Sequence, residues 1–132
     1  MTIDLTAPGT AVGVLASVSL ECADTVELAD FYRRLFDGSE FFRAPDGSVI
    51  CISTGTVYLT AMRVAGYVAP TWPAPGAGGI VHLDVAVDDL AQSVERTIAL
   101  GATEADHQPQ PALFRVMLDP AGHPFCLTTA RP

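Results

Sequence analysis

The stretch VLASVSLECADTVELADFYRRLF, residues 14–36, and the stretch GIVHLDVAVDDLAQSVERTIALG, residues 79–101, carry one pattern twice, 65 positions apart. In each, side chains alternate as a strand requires, and the run ends near an aspartate, Asp24 or Asp89. Glu27 and Gln92 follow three positions later and complete capping boxes. The aspartate oxygen takes amide hydrogens of the first helical turn, and the Glu or Gln reaches back. Helical spacing then sets Leu28, Phe31, Tyr32 and Leu35 on one stripe, and Leu90, Val94, Thr97 and Ile98 on another. Gly38 and Gly101 read as stop signals. Short alternating runs come after each helix, separated by the turn chemistry of Pro45-Asp46-Gly47, Ser53-Thr54-Gly55 and Asp119-Pro120-Ala121-Gly122.

Each half therefore reads strand, helix, then three strands. Residues 66–79, GYVAPTWPAPGAGG, hold four Gly and three Pro, too many breakers for the interior of an element. The expected organisation is a tail over 1–13, a first module over 14–65, a connector over 66–79 and a second module over 80–130. One helix on one sheet leaves the other face wet. The expected fold is therefore α+β, with tandem βαβββ modules building a curved eight-stranded sheet around a space.

At 132 residues the chain is one domain's worth, and 49% hydrophobic with a mean hydropathy of +0.34 implies a packed core rather than disorder. Fifteen acidic against seven basic side chains leave a formal charge of −8, which disfavours phosphate backbones and anionic lipid, so neither nucleic acid nor membrane is an expected partner. Cys22, Cys51 and Cys126 are odd in number and lack metal-finger or redox spacing, which fits reduced thiols. The first residues have Asp4 and no Lys or Arg before a short apolar run, unlike a secretory signal, and no apolar stretch is long enough to span a bilayer. A cytoplasmic location is the expectation.

Alternation separates the sheet faces. Val81, Leu83, Val85 and Val87 read as the set under the helices, with Ile80, His82, Asp84 and Ala86 opposite. In the first module Ala16, Val18, Leu20 and Cys22 take the helix side and Ser17, Ser19 and Glu21 the other. The same rule turns Cys51, Tyr58, Thr60, Met62, Arg115, Met117, Cys126 and Thr128 inward, with Phe114, Val116 and Leu118 on the helix side.

The repeated layout, the HLDVAVDDL run with His82 and the closing DPAGHPFCL resemble the vicinal oxygen chelate superfamily, which includes glyoxalase I, bleomycin-resistance proteins and extradiol dioxygenases. YVAPTWP, HLDVAVDDL, LGA and DPAGHPFCL are similar to a branch of small glyoxalase-like proteins common in actinomycetes. The resemblance implies a homodimer and, in metal-dependent members, a divalent ion held by His, Gln or Glu from the first strand of each module and a Glu from the last strand. His82 stands at the second-module position. Ser17 stands at its counterpart and Cys126 at the place of the glutamate, so the resemblance implies one surviving donor and no metal cofactor. A divalent metal would need rearranged donors such as Glu21, Asp84 or Cys126, or a soft Met62/His82/Cys126 set.

His82 and Asp84 are the candidate acid/base pair, with Asp84 free either to orient the imidazole or to pair with Arg115. The expected ligand-binding set is Ser17, Ser19, Glu21, Tyr58, Met62, Trp72, His82, Arg115, Met117 and Cys126. Cys126 reads as packing before nucleophile, and His107 and His123 as solvated turn residues. Trp72 can either cover the cup or anchor the connector. A small-molecule binder without a catalytic metal is the first functional reading. A metal-dependent lyase, isomerase or dioxygenase with non-standard ligands is the second, and a partner-interaction module the third.

Overall fold

The structure, a computed structural model, describes residues 11–73 and 80–131. The tail and the connector therefore lie partly outside the described residues. The first module comprises β1 (Val18–Cys22), α1 (Thr25–Leu35), β2 (Ser39–Arg43), β3 (Val49–Ser53) and β4 (Tyr58–Arg63). The second comprises β5 (Leu83–Ala86), α2 (Leu90–Leu100), β6 (Thr103–Glu104), β7 (Phe114–Leu118) and β8 (Pro124–Thr128). The α+β fold with two βαβββ modules is thus what the sequence builds.

Both helices start where the capping aspartates stand. Asp24 accepts the amide hydrogen of Glu27 at 3.0 Å and Asp89 that of Gln92 at 2.9 Å. Gly101 ends α2 with φ 120°, as its reading as a stop requires. Gly38 has a different task. The left-handed position after α1 belongs to Asp37, at φ 49°, whereas a Cβ on Gly38 would lie 2.1 Å from the carbonyl oxygen of Ser53. Close approach of backbone to backbone demands glycine there.

The eight strands divide into two four-stranded sheets, ordered β1-β4-β3-β2 and β5-β8-β7-β6. In each, the first strand runs parallel to the last and the other neighbours are antiparallel. A single large core joins the modules on the helix side of both sheets: Ile50, Ile52, Leu59 and Ala61 from one, Met117, Phe125 and Leu127 from the other, with Phe31 and Tyr32 of α1 between. The rings of Phe31 and Tyr32 lie 5.8 and 6.1 Å from that of Phe125. Each such buried ring stabilises the fold by ~1.5–3 kcal/mol. The helix-free faces of the two sheets consequently turn away from one shared core.

A buried carboxylate ties the modules together. Asp119 accepts from the Tyr32 hydroxyl at 2.6 Å, from His123 Nδ1 at 2.8 Å, and from the amides of Ala121 and His123 at 2.8 and 3.0 Å. His123 is therefore a structural partner rather than a solvated turn residue. Burial, then the Asp119 charge and its hydrogen bond, hold the Tyr32 phenol well above its ordinary pKa.

Three facial assignments differ from what strand alternation and helical spacing imply. Val81 is 95% exposed because strand pairing begins only at Leu83. Ile98 is 46% exposed, at the edge of its stripe. On β7 the faces are reversed. Val116 sits opposite Cys126 and Met117 opposite Phe125, which puts fully buried Met117 in the core under the helices and Phe114, Val116 and Leu118 on the other face. In FRVML four of five residues are apolar, so hydrophobicity cannot choose a face and the β8 register does. No helix among the described residues is long and apolar enough to cross a membrane.

Candidate functional site

His82 immediately precedes β5 and, with Asp84 and Ala86, occupies its helix-free face. Parallel pairing places Cys126 beside Asp84 and Thr128 beside Ala86. From β7, Phe114 lies opposite Thr128 and Val116 opposite Cys126. The Trp72 indole packs against this patch, and its Nε1 donates to the carbonyl oxygen of His107 at 3.0 Å. A hollow of about 640 Å³ opens here, apolar at Trp72, Pro109 and Phe114 and polar at His82, Asp84 and Thr128. Trp72 is tied to the His107 carbonyl oxygen and borders the hollow.

The polar floor is compact. His82 Nδ1 is 3.2 Å from Asp84 Oδ1, and one ligand atom from each of His82, Asp84 and Cys126 lies within 4.8 Å of the others. The Cys126 thiol is pushed up to about 11, by burial first and then by the charge of Asp84 and a hydrogen bond to it. A free thiol in this state is protonated at neutral pH and a poor nucleophile, which agrees with its reading as packing. Asp84 pairs with His82, not with Arg115, whose guanidinium binds Glu104 at 2.9 Å and the Pro111 carbonyl oxygen at 2.7 Å.

The expected ligand-binding residues separate into three places. Trp72, His82 and Cys126 line the hollow with the acid/base candidate Asp84. Arg115 and Met117 do not, because the β7 register turns them to the helix side. Ser17, Ser19, Glu21, Tyr58 and Met62 lie on the first sheet. The Ser17 hydroxyl shares a hydrogen bond with that of Thr60 at 2.6 Å, Ser19 and Glu21 are exposed on β1, Tyr58 packs on Phe41 with ring centroids 4.8 Å apart, and Met62 is exposed. Within one chain they do not meet His82. Phe114 is the wall residue that alternation assigned to the wrong side; pairing β7 with β8 so that Arg115 faces Leu127 would have found it.

Residues 17–128 match the sequence profile of the glyoxalase-like domain. The chain belongs to this glyoxalase-like family. Solved structures share its fold. The fosfomycin resistance protein FosX from Mesorhizobium loti superposes with a TM-score of 0.68 at 16% identity, over 92% of this chain and 94% of that one. A mutant of FosX from Listeria monocytogenes, complexed with Mn(II) and 1S,2S-dihydroxypropylphosphonic acid, gives 0.68 at 15%, over 92% and 93%. A glyoxalase-related enzyme from Fulvimarina pelagi gives 0.63 at 22%, over 87% and 86%. Among curated proteins the sequence finds no match.

Proposed function

We propose that this glyoxalase-like domain binds a flat, neutral or cationic organic molecule in the hollow beside His82. The observation that carries the reading is the pairing of aromatic walls, Trp72 and Phe114, with a few convergent polar groups in a space of about 640 Å³, a size suited to small organic ligands. A phosphonate such as the FosX ligand fits this lining poorly. Asp84 presents negative charge, and Arg131, the one Lys or Arg lining the hollow among the described residues, is paired with Asp88. Proton transfer between a bound ligand and the His82–Asp84 pair is the chemistry the floor offers.

The hollow is half of a cup, and a second copy supplies the other half in this reading. Two features support a homodimer: the first-module face, with Ser17, Glu21, Tyr58 and Met62, is open, and β1 and β5 are both edge strands with one unpaired side among the described residues. In such a dimer the first-module face of one chain covers the His82 face of the other.

Trp72 is the only tryptophan, so its fluorescence reports the hollow directly. Titration with ethidium, a flat aromatic cation, is expected to quench it saturably, and phenylphosphonate is expected to leave it unchanged. Replacing Phe114 by Ala is expected to weaken ethidium binding by about 1 kcal/mol, some fivefold, through loss of an aromatic wall. Absence of saturable quenching, or equal response to the phosphonate, would contradict the reading.

A further inference from the structure

We propose that the groove between α2 and the end of α1 binds a monoanionic carboxylate with an apolar tail, of the medium-chain fatty-acid class. The groove is a hollow of about 650 Å³, within the range of small-molecule sites. It lies on the helix side of β5. Val85 and Val87 turn toward it and the core, whereas the side chains of Asp84 and Ala86 on the same strand face the hollow beside His82. One face of α2, with Ser93, Arg96, Thr97 and Leu100 at helical spacing, makes the second wall, and Arg34 and Leu35 at the end of α1 make the third.

Charge selects the head group. The chain's seven basic side chains are all arginines. Arg33, Arg43, Arg115 and Arg131 each pair with a carboxylate, and Arg63 donates to the carbonyl oxygen of Asp46. Arg34 and Arg96 have no such acceptor among the described residues, and both line this one groove. Of the two lining aspartates, Asp84 is turned to His82 at 3.2 Å, so Asp37 alone stands against two guanidiniums. That leaves a surplus of one positive charge, in a protein whose formal charge is −8, and a monoanion balances it. The planar guanidinium fork matches the two oxygens of a carboxylate.

The floor selects the rest of the molecule. Leu35, Val85, Leu100 and Leu127 present apolar surface below the two arginines. A small hydrophilic anion would leave that surface wet, whereas a chain of methylenes covers it. The site stands apart from the organic-ligand reading, because neither Trp72 nor Phe114 borders the groove and the charge it favours is the opposite one.

The experiment is an amide NMR titration of the labelled full chain with decanoate. Ser93, Arg96, Thr97, Leu100 and Arg34 are expected to shift saturably. Decyltrimethylammonium, the same tail with the opposite charge, is expected to leave them in place. Hexanoate is expected to bind more than about tenfold more weakly, because fewer methylenes are covered. Arg34 and Arg96 are both exposed, so either can be replaced without opening the core. Arg34→Gln and Arg96→Gln are each expected to weaken decanoate binding about fivefold, the scale of an exposed charge pair. Should Arg34→Gln disturb the end of α1, Arg96→Gln carries the test alone. Saturating decanoate is expected to leave the quenching of Trp72 by ethidium unchanged. Shifts on the His82 face instead of the groove, displacement of ethidium, equal binding of the decyl cation, or undiminished affinity in Arg96→Gln would overturn the proposal. So would groove amides that move with protein concentration alone, which would put a second copy of the chain there.

Discussion

Replacing Tyr32 by Phe removes one oxygen from the junction of the two modules, and the structure sets how much that should matter. The hydroxyl donates to Asp119 Oδ2 at 2.6 Å inside the core, a buried hydrogen bond to a charged acceptor, worth ~1.5–3 kcal/mol. The carboxylate is not orphaned, since His123 Nδ1 stays on the same oxygen and two backbone amides on the other. The ring also keeps its edge contact with Phe31, at 5.0 Å between centroids. The expected loss is about 2 kcal/mol, or about 7 °C in Tm for a chain of this length, measured by urea and thermal unfolding at fixed protein concentration. The difference should also depend on pH. Because the folded-state pKa of Tyr32 is raised, its neutral form contributes stability that is fully present below the unfolded value near 10 and is lost as pH rises above it. The gap between wild type and Tyr32→Phe should shrink in alkali. A loss below about 0.5 kcal/mol, well under the range for charged hydrogen bonds, or a gap that widens above pH 10, would refute the reasoning.

Further outcomes follow from particular contacts. Gly38→Ala is expected to destabilise by about 1–3 kcal/mol or more, because the new methyl meets the Ser53 carbonyl and the β3 backbone must move; an unchanged urea midpoint would sink that explanation. Without metal at pH 8, Cys51 is expected to react first with a thiol reagent. Cys22 and Cys126, both buried with raised pKa values, should lag until denaturant is added, as timed mass spectrometry would record. Light scattering is expected to give twice the 13.9 kDa chain mass at micromolar concentration, and a monomer would remove the second half of the cup.

Much of the fold was legible because local chemistry and global pattern agree. The Asp24/Glu27 and Asp89/Gln92 boxes mark helix starts to the residue, Ile50 and Ile52 alternate cleanly with half-exposed neighbours, and Phe125 and Leu127 face the shared core. The β7 faces were not legible, since an all but uniformly apolar strand takes its phase from its neighbour's register. Nor was Asp119, whose place in a turn motif gives no hint that a tyrosine 87 positions away will donate to it in the core. At the candidate site, sequence alone brought out His82, Asp84, Cys126 and Trp72. It could not tell that Arg115 would be spent on Glu104, or that the first-module face would point away from the second within one chain. Those are properties of packing between modules, and no local signal carries them.

The most direct test of the account is amide NMR of the labelled full chain titrated with ethidium. Saturable shifts are expected at Asp84, Ala86, Phe114, Cys126 and Thr128 and at the Trp72 indole N–H. Shifts gathered instead around the groove of Arg34, Arg96 and Leu100 at the ends of the helices, or no saturable shift at all, would contradict it.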